Sequence, residues 1–251
     1  MAVTHTFQTQ FAVPLSCEGC VKDVSNSLYK LNGITKVEAN LKDQLISVEG
    51  SAAPSAIVEA IEATGRDAIL RGSGASNGAA VSILESFADQ TASSEAAEKA
   101  RSVRGLARMV QVNQSRTLVD LTVRGVAPGS YRATIREYGD LKHGVKSAGP
   151  VWSGGQQEKE PKGYLGTVQV GEDGRGSSFV DLPFQIWEVI GHAMVLTRQE
   201  EDLKPLDNDE DTVVGVIARS AGVWDNDKTV CSCTGKTLWE ERKDEVKRGM
   251  L

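Results

Sequence analysis

The residues best suited to chemistry are four cysteines in two close pairs: Cys17 and Cys20 near the start of the chain, Cys231 and Cys233 near its end. In an extended segment, residues i and i+2 point to the same side, so Cys231 and Cys233 present both sulfurs to one partner. Two residues of strand separate their α-carbons by roughly 6.6 Å, near the upper limit for a disulfide, so a bond between them is strained and easily exchanged. Their setting, Val230-Cys231-Ser232-Cys233-Thr234-Gly235-Lys236, is polar, unlike the buried surroundings of an inert thiol. Both cysteines are therefore candidates for redox catalysis and for metal ligation. In the other pair, Cys17-Glu18-Gly19-Cys20 is followed by Val21, Val24, Leu28 and Leu31 at helical spacing. Cys20 falls on the first helical turn, where unpaired backbone N–H groups favour the thiolate, the form that attacks and the form that binds metal.

A chain of 251 residues, 40% hydrophobic and 25% charged, accommodates two domains and a tail. Its net charge of -6 gives no electrostatic reason to expect a nucleic-acid partner. No apolar run approaches about 18 residues, and no basic stretch followed by an apolar one opens the chain, so no transmembrane segment is expected and a cytoplasmic location is. In that reducing compartment close cysteine pairs serve metals or catalysis more often than crosslinking.

The elements that must position Cys17 and Cys20 follow from periodicity. Residues 7–15 read as a strand ended by Pro14, 20–31 as a helix stopped at Asn32-Gly33, 34–41 and 44–49 as a hairpin, 54–63 as a second helix, and 67–70 as a last strand. The order βαββαβ is ferredoxin-like, with the cysteine pair in its first loop. A soft-metal site, a thioredoxin-type redox pair and half of a zinc site all remain open on these grounds. A redox pair would sit in a longer parallel pattern, and zinc would need two further ligands where the only local histidine is His5. Two thiolates suit copper(I). The segment resembles the heavy-metal-associated domains of copper chaperones, with Leu15 where those carry a methionine packed beneath the loop. Arg66 matches a basic position near the family's metal. The resemblance implies Cu(I) bound by Cys17 and Cys20, with Arg66 either balancing the dithiolate charge or lying on solvated surface.

Residues 73–78 are small and aperiodic, a flexible linker between a first domain at 1–72 and a second at 79–217. Alternating segments at 79–84, 105–112, 117–123 and 131–137 predict an all-β sandwich or barrel. Residues 85–101 fit a short helix or a loop equally. The stretches Tyr138-Gly139-Asp140, Ser147-Ala148-Gly149-Pro150, Ile190-Gly191 and Gly215-Val216-Ile217 give this segment its resemblance to Cu/Zn superoxide dismutase, a Greek-key barrel. By that likeness Thr134, Arg136, Val151 and Thr197 stand where the dismutase has metal histidines. Val145 and Val214 replace its disulfide cysteines, and Asp211 its substrate-guiding arginine. With only His5, His143 and His192 in the chain, dismutase activity is excluded and no zinc is expected in this domain. Residues 152–179 take the place of the dismutase's zinc loop, and the acidic run 200–211 reads as a solvated loop. Ile190, Gly191, Gly215 and Ile217 match the family's subunit interface. Trp187 is an added candidate anchor there, with plain core packing the equal alternative.

The tail, 218–251, is too small and polar to bury a core of its own and is expected to be mobile, with a short helix allowed after Thr237. Trp224 and Trp239 would order on docking or pack loosely on the barrel. Taken together, the chain resembles the family of copper chaperones for superoxide dismutase, of the fungal type: a multidomain α+β and all-β protein. The resemblance implies Cu(I) carried by Cys17, Cys20, Cys231 and Cys233, a heterodimer with immature Cu/Zn superoxide dismutase, and oxidation of that target's thiols through Cys231 and Cys233. It also implies a homodimer in the target's absence and a second location in the mitochondrial intermembrane space. A metal-independent thiol-disulfide oxidoreductase and a structural zinc protein are the alternatives.

Overall fold

In this computed structural model the described residues are 5–88, 103–155, 161–200, 205–223, 225 and 235–247. The first unit runs β1 (Phe7–Ala12), α1 (Glu18–Leu28), β2 (Ile34–Asn40), β3 (Leu45–Gly50), α2 (Pro54–Glu62) and β4 (Ile69–Ser73), with sheet order β2-β3-β1-β4. This is the expected βαββαβ arrangement. Val24 and Leu28 of α1, with Ile57 and Ile61 of α2, recur one turn apart and pack on Phe11, Ile46 and Val48 of the sheet. Pro54 opens α2 where a missing N–H costs nothing. Leu15, 3% exposed, lies in the same core beneath the cysteine loop.

The second unit is an eight-stranded antiparallel barrel: β5 (Ala79–Ser86), β6 (Val103–Asn113), β7 (Arg116–Arg124), β8 (Gly129–Arg136), β9 (Tyr164–Val170), β10 (Arg175–Leu182), β11 (Ala193–Thr197) and β12 (Val213–Val216). Its order β5-β6-β7-β10-β9-β8-β11-β12 closes where Val213 and Val214 pair with Ser86 and Glu85. Closure leaves this barrel no open edge. Tyr131, Leu84, Met109, Leu121, Ile135, Phe184 and Met194 fill the interior. A one-turn helix, α3 (Ile186–Val189), is held by a capping box in which Gln185 N–H donates to Glu188 Oε2 at 2.7 Å. A short β13 (Ala218–Arg219) returns to β5, and α4 (Leu238–Lys247) closes the described chain.

Three expectations are corrected. Residues 152–179 are not one long loop: Trp152 is buried in the barrel core, and Leu165, Val168 and Val170 alternate inward along β9. Six glycines from 154 to 174 obscure that alternation. Residue 85 begins no helix, because β5 continues to Ser86 and Phe87 enters an apolar cluster; 89–102 lie outside the described residues. The linker is not a loose connection either. Ser73 N–H donates to Ala221 O at 3.2 Å, Gly74 N–H to Gln8 O at 2.8 Å and Val223 N–H to Gly74 O at 2.9 Å. The chain after the barrel thus straps the turn between the units, and no window of composition can reveal a partner 150 residues away.

The units also meet directly. Phe7 of β1 packs with Val110 and Leu118 of the barrel. Asp120, 2% exposed on β7, accepts from Ser55 N–H at 2.8 Å and Ser55 Oγ at 2.7 Å, and pairs with Arg108 at 3.5 Å. Ala53 gives α2 no side-chain cap, so a carboxylate of the other unit serves its first turn.

Candidate metal-thiolate site and partner face

Cys17 is the N-cap residue of α1, in extended conformation (φ -161°, ψ 170°), and Cys20 lies in the first turn. The sulfurs stand 3.6 Å apart, both free, with Cys17 exposed and Cys20 half-buried. Buried Val13 and Leu15 anchor the entry to the loop, and Val24 and Leu28 anchor its exit, so the dithiol is presented to solvent from a rigid base. Ser16 Oγ hydrogen-bonds Cys20 Sγ at 3.2 Å. Arg66 also hydrogen-bonds Cys20, and donates to Thr64 O at 3.1 Å and Asp23 Oδ2 at 3.3 Å. These contacts bring the Cys20 thiol down from 9.0 to about 6, with Ser16 the largest contributor and Arg66 next. The thiolate in turn raises the Arg66 guanidinium. A side chain only 18% exposed, held between Asp23 and Cys20, is not solvated surface: Arg66 balances charge at the dithiol.

Ser16 does not stand out in the sequence. A serine preceding a Cys-x-x-Cys loop is the available signal, but its rotamer toward Cys20 is set only once α1 is in place. Among the described residues no group of three or more His, Cys, Asp or Glu could hold a metal, so a soft ion at this loop would have two thiolates from it. Cys231, Cys233 and Trp224 lie outside the described residues. Trp239 is half-buried on α4.

In the barrel, the four positions likened to metal histidines are built into the fold. Thr197 Oγ1 hydrogen-bonds Thr212 Oγ1 at 2.7 Å, Arg136 is 3% exposed and donates through Nε and Nη2 to Gly149 O at 2.9 and 2.6 Å, Thr134 is buried, and Val151 bridges to Arg136. Val145 and Val214 are buried in one apolar cluster with Phe87, Ala148, Ala193, Val195 and Leu206, so packing joins the segments they belong to. Asp211 accepts from Ala127 N–H at 2.8 Å and faces Arg198 at 3.5 Å, which gives it a structural use.

The candidate partner residues separate clearly. Trp187 is 62% exposed and therefore not core, Gly191 is exposed and Ile190 half-buried. Gly215 and Ile217 require correction: both are buried, Ile217 at 1% exposure within the barrel core. The strand alternation that turns Val216 outward turns Ile217 inward. The glycines serve close approach. A Cβ on Gly215 would lie 1.9 Å from Ile83 O, and one on Gly139 would lie 1.9 Å from Gly191 O and 3.4 Å from Val216 Cγ1. Three segments thereby converge and leave Ile83, Tyr138 and Val216 exposed at 51%, 55% and 37%.

Comparison with known proteins agrees with this division. Residues 10–67 match the heavy-metal-associated domain family, and residues 103–221 match copper/zinc superoxide dismutase. The superoxide dismutase 1 copper chaperone of Saccharomyces cerevisiae is 41% identical over 250 residues, covering 98% of both chains. Its counterpart in Kluyveromyces lactis is 43% identical, covering 98% of this chain and 97% of its own. The copper chaperone for superoxide dismutase of Homo sapiens is 34% identical, covering 93% of this chain and 88% of its own. With an open dithiol loop on a ferredoxin-like unit, a barrel whose metal positions are otherwise employed, and near full-length similarity to these proteins, the chain belongs to the family of copper chaperones for superoxide dismutase.

Proposed function

We propose that the protein takes up copper(I) at Cys17 and Cys20, docks on an immature Cu/Zn superoxide dismutase subunit through its own dismutase-like barrel, and delivers the ion there. The observation that carries this reading is the exposed thiol pair, 3.6 Å apart, with Cys20 brought down to about 6. At neutral pH it offers an anionic ligand without first losing a proton, so a soft cation is accepted readily. Leu15 and α1 orient the sulfurs, and Arg66 offsets their charge without competing as a ligand. Docking uses Ile83, Tyr138 and Val216, with Trp187 as an anchor on α3. A second copy of the chain occupies this face when the target is absent.

Cys231 and Cys233 receive the ion by thiolate exchange and pass it on while the complex holds them close, so copper is never free. The same pair oxidises the target. Once the ion has left, dioxygen or a small-molecule disulfide oxidises the two tail thiols to a disulfide; a target thiolate then attacks one tail sulfur, with Cys231 the preferred one, and the other tail sulfur leaves as a thiolate. A second target thiolate then resolves the mixed disulfide. Two electrons pass from target to tail, and dioxygen or a small-molecule disulfide must reoxidise the tail. The cytosol and the mitochondrial intermembrane space are the compartments in which this chemistry is proposed to operate.

The decisive experiment loads the full chain with copper(I) without oxygen and mixes it with zinc-loaded, copper-free dismutase under a copper chelator. Activation that needs Cys17, Cys20, Cys231 and Cys233 supports the reading. Stable zinc binding without activation overturns it.

A further inference from the structure

Arg242, in the second turn of α4, reaches across 180 residues of sequence to Glu62, and its Nε donates to Asp67 Oδ1 at 3.3 Å. Its side chain is 13% exposed, whereas Glu62 and Asp67 are 40% and 54% exposed. The arginine is thus covered by the contact it makes. The start of the helix also has local support of its own. Thr237 N–H donates to Glu240 Oε2 at 2.8 Å, Thr237 Oγ1 accepts from Glu240 N–H at 3.3 Å, and Lys236 pairs with Asp244.

The position of the two carboxylates gives the contact its meaning. At its start, α2 meets the barrel through Ser55 and Asp120, and Glu62 is its last residue. Asp67 follows Arg66, the residue hydrogen-bonded to Cys20. The tail helix is therefore seated at the thiol-loop end of the first unit, away from the barrel contact. We propose that Glu62 and Asp67 form a reversible dock for α4, keyed by Arg242, that stations the tail beside the Cys17–Cys20 loop between deliveries. This rests on the delivery reading above. Carboxylates this exposed make a weak, exchangeable interaction, suited to a station that must be left. Covalent reach does the rest. Cys233 precedes Leu238 by five residues, and an extended chain spans at most about 3.6 Å per residue, so a docked α4 keeps that thiol within roughly 18 Å of the helix start.

The test uses the full reduced chain without target or metal, treated briefly with diamide, a two-electron thiol oxidant. Disulfides between Cys17 or Cys20 and Cys231 or Cys233 are then mapped by mass spectrometry. The wild type should form these inter-pair links, and Arg242→Glu should lower their initial rate about tenfold by removing the local concentration of the tail. Combining Arg242→Glu with Glu62→Arg should restore the rate to within about twofold, which a merely misfolded variant would not do. Equal linking in Arg242→Glu, or no recovery in the charge swap, would overturn the dock. If linking depends on Arg242 but the wild type fails to activate dismutase, the dock stands and the delivery reading falls.

Discussion

The ionisation of Cys20 offers the sharpest test of the site. With its thiol at about 6 rather than 9.0, about nine in ten Cys20 side chains are thiolate at pH 7, against about one in a hundred for an ordinary thiol. That ninety-fold difference does not carry over into reactivity, because intrinsic nucleophilicity falls by roughly 0.4–0.5 log units per unit of pKa, which leaves a net gain of about fourfold at pH 7. The midpoint of the pH profile is therefore the better readout than the rate. Iodoacetamide labelling of Cys20, resolved from the other cysteines by peptide mass, should have its midpoint near pH 6. Ser16→Ala removes the largest contribution and should move the midpoint upward furthest. Arg66→Ala should move it upward less, and Ser16→Thr, which keeps the hydroxyl, hardly at all. Because a bound soft metal needs the deprotonated ligand, copper(I) uptake should weaken as pH falls through about 6, and in Ser16→Ala it should weaken already at higher pH. A wild-type midpoint near 9, or one indifferent to both Ser16 and Arg66, would refute the geometric account of this loop.

Other residues give independent tests. Asp120→Ala strands Arg108 and the first turn of α2, and should cost about 3–5 kcal/mol in urea unfolding; a loss below about 1 kcal/mol would show that the clamp between the units contributes little. Burial raises the Asp120 carboxyl above 3.8, against the opposing pull of Arg108 and Ser55. The folded state then binds that proton more tightly than the unfolded chain, so this contribution falls as pH rises from 3.8 through the raised value, and Asp120→Asn should abolish that dependence. Trp187→Asp should change stability by less than about 0.5 kcal/mol while weakening association with the dismutase in sedimentation; unchanged association would remove Trp187 from the partner face. Ile217→Ala should do the reverse, costing about 2–5 kcal/mol in unfolding because it opens a cavity in the barrel core. Gly139→Ala forces a Cβ to within 1.9 Å of Gly191 O, and a measured loss of about 1–3 kcal/mol is expected from the shift it imposes.

Much of this was legible in one dimension. The 3.6 spacing of Val24 and Leu28, like that of Ile57 and Ile61, identifies the helices of the first unit, and the strand between Phe7 and Ala12 carries the loop where Pro14 ends it. Local patterning suffices there because both helices and the central strands β1 and β3 each bury apolar residues in one shared core. It failed at β9, where Gly163 and Gly171 flank the strand and Gly166 interrupts it. It also failed at Ile217, where a match to an interface segment says nothing about which alternate side chain faces outward.

The residue types themselves determined the chemistry: two cysteine pairs able to hold a soft ion, too few histidines for a dismutase, and a helix N-terminus to favour the thiolate. Only the tertiary structure decided what surrounds that chemistry. Ser16 and Arg66 approach Cys20 from opposite ends of the first unit's sequence, Asp120 caps a helix 65 residues away, and Arg242 finds Glu62 across 180 residues. Contacts of this kind join exposed or polar groups that have no periodicity of their own. They exist only after the apolar cores have fixed the backbones that carry them.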